Sequence, residues 1–148
     1  MTAVSSETLH ASCVAINGQA VLIEGRSGAG KSDLALRLID RGARLVSDDY
    51  TIVFRDGRDG PLRASPPPTI AGRIEVRGIG IVPMPHIDRV PVALIVTLAE
   101  EVERLPADPP ATRHVAGVQV PVMMLEGALP SAPIKLELAL ARLPGTPG

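Results

Sequence analysis

Apolar residues fall into short runs along this chain, and each run closes on a turn signal. Residues 9–16 read as a first strand, Asn17-Gly18 is a strong hairpin turn, and Ala20-Val21-Leu22-Ile23 resumes as an antiparallel neighbour. The period then changes. Leu34, Leu36, Leu38 and Ile39, with Ala35, supply a helical face that stops at Arg41-Gly42, a positive last turn followed by glycine. Residues 43–47 return to a short strand and 51–54 to another. A charged turn follows over 55–61, with 62–64 as a hairpin partner.

Further on, Ser65-Pro66-Pro67-Pro68 is a stiff linker, too short to separate domains. Residues 69–82 read as strand, with Glu75 and Arg77 on one face. Residues 90–98 form the most apolar strand, expected to be central because a continuous apolar run suits burial on both faces. One or two short strands are expected over 115–125. A terminal amphipathic helix is expected over 134–143, stopped by Pro144 and Gly145. Hairpins before a βαβ crossover predict an α/β domain with a mixed sheet. At 148 residues the chain suits one domain, 1–148.

Between the second strand and the helix lies Gly25-Arg26-Ser27-Gly28-Ala29-Gly30-Lys31-Ser32, which fits G-x-x-x-x-G-K-[ST]. Gly25, Gly28 and Gly30 let the backbone turn sharply and bring its N–H groups close to phosphate oxygens. The helix that follows points its positive end at the same phosphates. Lys31 adds a point charge, and Ser32 adds a hydroxyl for Mg²⁺. The strand–loop–helix setting favours nucleotide binding over a ligand-free glycine turn.

The strand after the helix ends in Asp48-Asp49, on the same rim as the loop. Neighbouring side chains in an extended chain point to opposite sides. One carboxylate therefore addresses the γ-phosphate and the other serves the metal side or supports the site from behind, and the residues alone leave open which is which. His10, at the start of the first strand, reads by itself as an ordinary half-buried histidine. His86 and Asp88 are too sparse for a metal site.

Composition narrows the partners. A net charge of −1 with interspersed signs, one Tyr and one Phe leave neither an electrostatic footprint nor stacking platforms for nucleic acid. The single Cys13 excludes an internal disulfide and reads as a small core residue. The longest apolar run, 92–99, is far short of the roughly 20 residues that cross a bilayer. The first nine residues lack a basic segment followed by an apolar one. The expectation is a cytoplasmic protein with no membrane partner.

Three blocks together resemble the catalytic domain of the bifunctional HPr kinase/phosphorylase family over about residues 10–98. They are the glycine loop, Arg41-Gly42-Ala43-Arg44-Leu45-Val46-Ser47-Asp48-Asp49, and Ile74-Glu75-Val76-Arg77-Gly78-Ile79-Gly80-Ile81. The resemblance implies a P-loop-containing kinase domain of HPr kinase type. It also implies ATP and Mg²⁺ as cofactors, and phosphorylation of a serine on the phosphocarrier protein HPr within regulation of the bacterial phosphotransferase system. Carried over by position, Asp48 corresponds to the carboxylate that takes the serine proton and Asp49 to its acidic neighbour. Glu75 with Ser32 corresponds to the Mg²⁺ side, His10 to a histidine near the transferred phosphate, and Arg77 to the arginine after that glutamate.

The chain resembles a short form without the family's N-terminal domain. Residues 83–89 pass quickly to the next strand, where long forms carry a segment that helps contact HPr. Long forms also have an arginine-containing loop tied to phosphorolysis and to the family's homo-oligomer. Here that stretch reads Glu126-Gly127-Ala128-Leu129-Pro130-Ser131-Ala132-Pro133, and no residue is carried over. The alternative from another class is a nucleotide-binding regulatory module. The acidic pair and Glu75 favour the kinase.

Overall fold

A computed structural model describes residues 6–144. Among them the elements run β1 (Ser6–Leu9), β2 (Ala11–Ile16), β3 (Gln19–Glu24), α1 (Lys31–Asp40), β4 (Arg44–Ser47), β5 (Thr51–Arg55) and β6 (Leu62–Ser65). They continue as β7 (Arg73–Val76), β8 (Gly80–Pro83), β9 (Val90–Leu98), β10 (Ala111–Val115), β11 (Val118–Leu125) and α2 (Ala132–Ala141). The fold is the expected α/β arrangement on a mixed sheet.

β9 is the hub. Its start pairs antiparallel with β6, its middle lies parallel to β3, and Ile95 to Leu98 lie parallel to β11. β2 runs antiparallel to both β3 and β4, so β3, β4, β9 and β11 all point the same way. Their carboxyl ends share one rim, the place where open α/β sheets bind ligands.

Burial follows the strand period of two. Val21 and Ile23 of β3, with Leu94, Val96 and Leu98 of β9, face a core shared with Leu34, Leu38, Leu136 and Leu140 of the helices. Ala20, Leu22 and Ile95 point to the opposite core, covered by Val53, Leu62 and Ala64 of β5 and β6. The central strands are apolar throughout because both of their faces are covered. In α1, Leu34, Ala35 and Leu38 form the buried stripe, and each fully buried leucine contributes about 1.5–3 kcal/mol. Cys13 is fully buried, and desolvation pushes its thiol well above the usual range, which keeps it a protonated core residue.

α1 ends as Arg41-Gly42 predicts. Gly42 takes a φ of 109°, its N–H bonds Ile39 O, and the Ala43 N–H reaches Leu38 O, closing a Schellman turn. The β2–β3 turn places Asn17 and Gly18 at φ 50° and 77°.

Four expectations change. The first predicted strand breaks at His10 into β1 and β2, which pair with different strands. Where 69–82 read as strand, residues 69–72 are turn and β7 and β8 form a hairpin. Gly78, at φ 87°, and the bond from Ile79 N to Val76 O put Arg77 in its turn, so Arg77 does not share a strand face with Glu75. β10 was not expected, because its turn, Ala116-Gly117, lacks the usual Asn or Asp. The terminal helix begins two residues earlier than predicted, and Gly145 of its expected stop lies outside the described residues.

Candidate active site

The phosphate loop leaves β3 at Glu24 and enters α1 at Lys31. Gly28 and Gly30 take φ 82° and 94°, conformations that side-chain-bearing residues rarely adopt. Gly25 is required for space instead, since a Cβ there would lie 3.0 Å from Ala29 Cβ and 3.2 Å from Leu98 Cβ. Lys31 is buried and its Nζ donates to the carbonyls of Gly25 and Arg26, at 3.0 and 3.2 Å. Its charge therefore lies inside the curl of the loop.

Asp48, just past β4, is 7% exposed and accepts three hydrogen bonds. Ser32 Oγ donates to Oδ1 at 2.6 Å and Ser12 Oγ at 2.9 Å, while the Glu75 backbone N–H donates to Oδ2 at 2.9 Å. Loop, helix start, β2 and the β7–β8 hairpin are thus tied to one carboxylate. Ser32 and Asp48 share the shorter of the two side-chain hydrogen bonds that join sequence-predicted site residues, the other being His10 to Asp49.

Asp49 differs in every respect. Its φ is 68°, at the apex of a three-residue turn closed by Tyr50 N to Asp48 O at 2.8 Å. Its side chain is 57% exposed, and Oδ1 lies 2.8 Å from His10 Nε2. The His10 ring stacks on Tyr50 with centroids 4.9 Å apart, which fixes the imidazole beside the carboxylate. Ser12 joins the two acids, because the oxygen that donates to Asp48 also accepts the Asp49 backbone N–H at 3.1 Å.

Ser12 and Tyr50 are the site residues that sequence reading missed. Ser12 carried one usable signal: it lies two positions after His10, so an extended chain places both on one side. Glu75 and Arg77 are exposed, and Arg77 makes no side-chain hydrogen bond or ion pair among the described residues. The Glu75 backbone brings the hairpin to the rim.

At the other end of the loop, Glu24 accepts from Thr97 Oγ1 at 2.7 Å and from both terminal nitrogens of Arg113. The Arg113 hydrogen bond holds the Glu24 carboxyl below its ordinary range, against a partial burial that raises it. The guanidinium is correspondingly pushed up by the same bond. This pair fastens the root of the phosphate loop to β10.

Residues 2–126 match the family model described as the HPr Serine kinase C-terminal domain. The chain is similar to an HPr kinase/phosphorylase of Chlorobium phaeobacteroides, 38% identical over 128 residues, which covers 78% of this chain and 39% of the relative. It is also similar to one of Clostridium botulinum, 49% identical over 74 residues, covering 50% of this chain and 24% of the relative. The chain therefore spans about two-fifths of the length of the first of these. Among solved structures it is similar to the Hpr(Ser) kinase/phosphatase from Coxiella burnetii, with a TM-score of 0.75 and 31% identity, covering 92% of this chain and 88% of that one. No helix of the described residues is long and apolar enough to cross a membrane.

Proposed function

This chain belongs to the HPr serine kinase C-terminal domain family, and we propose on that premise that it transfers the γ-phosphate of ATP to a serine of the phosphocarrier protein HPr. The setting is cytoplasmic regulation of sugar uptake by the phosphotransferase system. Residues 1–148 act as one catalytic domain in a homo-oligomer. The observation that carries the reading is the convergence of Ser32, Asp48 and the His10–Asp49 pair on the rim where the phosphate loop opens.

Phosphoryl transfer asks chiefly for positioning and for positive charge against the transferred group. The backbone N–H groups of residues 25–32 and the Lys31 ammonium supply that charge. A hydroxyl and a carboxylate oxygen 2.6 Å apart are the hard oxygen donors that Mg²⁺ takes, so Ser32 and Asp48 fit the ion, with Glu75 alongside. A Mg²⁺ ion held there would supply further positive charge against the phosphate oxygens.

The family resemblance gives the serine proton to Asp48, but the geometry supports the opposite division of labour. Both Asp48 oxygens are engaged by three donors, and the side chain is buried. Asp49 is open to solvent, among the described residues only its Oδ1 is engaged, and the engaging group is a histidine. Asp49 accepts the proton as the serine oxygen bonds to the γ-phosphorus. The bond to the β–γ bridging oxygen breaks, and ADP leaves. His10 holds the carboxylate toward the acceptor. Arg77, exposed in its turn and unpaired among the described residues, stands ready for phosphate or for HPr.

The test is transfer of label from γ-labelled ATP to purified HPr with Mg²⁺, comparing the native protein with Asp49→Asn. Label on an HPr serine that falls by about 10²-fold or more in the variant supports kinase and base together. Measurable ATP binding without label transfer supports the nucleotide-binding module instead.

A further inference from the structure

β3 ends on a charge that works against the loop it feeds. The strand is apolar from Ala20 to Ile23, yet its last residue is Glu24, one position before Gly25. Neighbouring Cα atoms lie about 3.8 Å apart and charges act over about 8 Å at physiological salt, so a bare Glu24 carboxylate is within range of the N–H groups that open the loop. Its field opposes theirs.

Arg113 meets that charge. Its Nη1 donates to Glu24 Oε2 at 2.7 Å and its Nη2 donates to Oε1, while Thr97 Oγ1 donates to Oε1 at 2.7 Å. Both carboxylate oxygens are engaged, and the two-pronged contact fixes the direction of the carboxylate as well as its charge. Strand alternation puts Glu24 on the side of Ala20 and Leu22, away from the core that α1 covers. Among the described residues Arg113 is the only cation bonded to Glu24. The same bond holds the carboxyl below its ordinary range, so a full negative charge is being cancelled at neutral pH.

The partner comes from far away. Arg113 lies 89 positions along the chain, and β11 and β9 stand between β10 and β3 in the sheet, so the contact crosses the sheet face instead of joining paired strands. Four of the five residues of β10 are exposed, and Val115 is the one that joins the core. The pair is itself partly open, with side-chain exposures of 42% for Arg113 and 22% for Glu24. Ion pairs open to water add modestly to stability, and the larger consequence of this one is the field at the loop.

We propose that Arg113 is a positioning residue for phosphate binding: it holds the Glu24 carboxylate aside and cancels its charge, so that the loop N–H groups and Lys31 act on phosphate undiminished. The inference rests on the nucleotide-binding reading above and adds a control on that site from outside the loop.

Calorimetric binding of inorganic tripolyphosphate with Mg²⁺ to the whole chain, at low and at physiological salt, tests it. Arg113→Ala bares the carboxylate and is expected to weaken tripolyphosphate by about 5-fold or more, with the loss shrinking as salt rises. Adding Glu24→Gln to Arg113→Ala removes the charge as well, and affinity is expected to return to within about 2-fold of the native protein. A purely structural tie would give no such rescue, because the double variant lacks the tie too. Glu24→Gln alone is expected to bind more tightly, by up to about 2-fold, and it carries the test where Arg113→Ala does not fold. Native affinity in Arg113→Ala, a double variant as weak as Arg113→Ala, or a Glu24→Gln protein weakened by about 5-fold overturns the role. A native protein that binds neither tripolyphosphate nor Mg-ATP overturns the nucleotide reading itself, and the role with it.

Discussion

Ser12 and Asp48 lie 36 positions apart in sequence and share a buried hydrogen bond of 2.9 Å. The same serine oxygen accepts the backbone N–H of Asp49 at 3.1 Å, so one hydroxyl sets both the buried carboxylate and the strained turn that carries the exposed one. Ser12→Ala leaves the Asp49 N–H without its partner and Asp48 with one donor fewer. The expected cost is about 1–3 kcal/mol of stability, with transfer to HPr reduced by about 10-fold and ATP affinity changed by less than about 2-fold. Ser12→Thr, which keeps the hydroxyl, is expected to retain most of the activity. Denaturant unfolding and single-turnover transfer check the two halves, and equal loss of activity in Ala and Thr variants argues against the hydrogen bond as the cause.

The two aspartates are expected to fail differently. Asp49→Asn lowers the rate of transfer by about 10²-fold or more with the Mg²⁺ requirement unchanged. Asp48→Asn raises the Mg²⁺ concentration needed for half-maximal rate by about 10-fold, because it removes the charged oxygen beside Ser32. Rates titrated against Mg²⁺ for both variants separate the roles. A shifted Mg²⁺ dependence in the Asp49 variant alone would reverse the assignment.

Lys31 bridges the Gly25 and Arg26 carbonyls from inside the loop. Lys31→Ala is expected to weaken both ATP and tripolyphosphate by about 10-fold or more, since the ammonium addresses phosphate rather than nucleoside. Equal affinities in native and variant protein count against the phosphate site.

Glu24 links acid stability to the loop's root. Its carboxyl is held below the ordinary value of 4.5, so the Arg113 pair stabilises the fold above that pH and the contribution drains away as pH falls through the lowered value. Glu24→Gln is expected to lower the melting temperature most near neutral pH, with the gap to the native protein closing as pH falls through the lowered value. A gap independent of pH would show that packing, rather than charge, makes the contribution.

Much of this was legible in the residues. The hairpin at Asn17-Gly18 and the Schellman stop at Gly42 were readable because positive φ demands particular residue types. β9 was readable as central from its unbroken apolar run. The β7–β8 hairpin was not, because Arg77-Gly78 is a weak turn signal amid β-branched residues. β10 escaped because four of its five residues are exposed and no alternation marks it.

The division between Asp48 and Asp49 shows the limit most clearly. Local sequence determined that two adjacent carboxylates end a strand beside a phosphate loop, since glycine spacing and the βαβ crossover constrain neighbouring backbone. Which carboxylate is buried depended on Ser12 and the Glu75 backbone, and which is exposed depended on His10 and Tyr50. Apart from Tyr50, those groups reach the site from β2, the bend before it and the β7–β8 hairpin. Only the tertiary structure decided the matter, because hydrogen bonds between distant segments form where the sheet's strand order brings them together, and no local preference of the chain encodes that order.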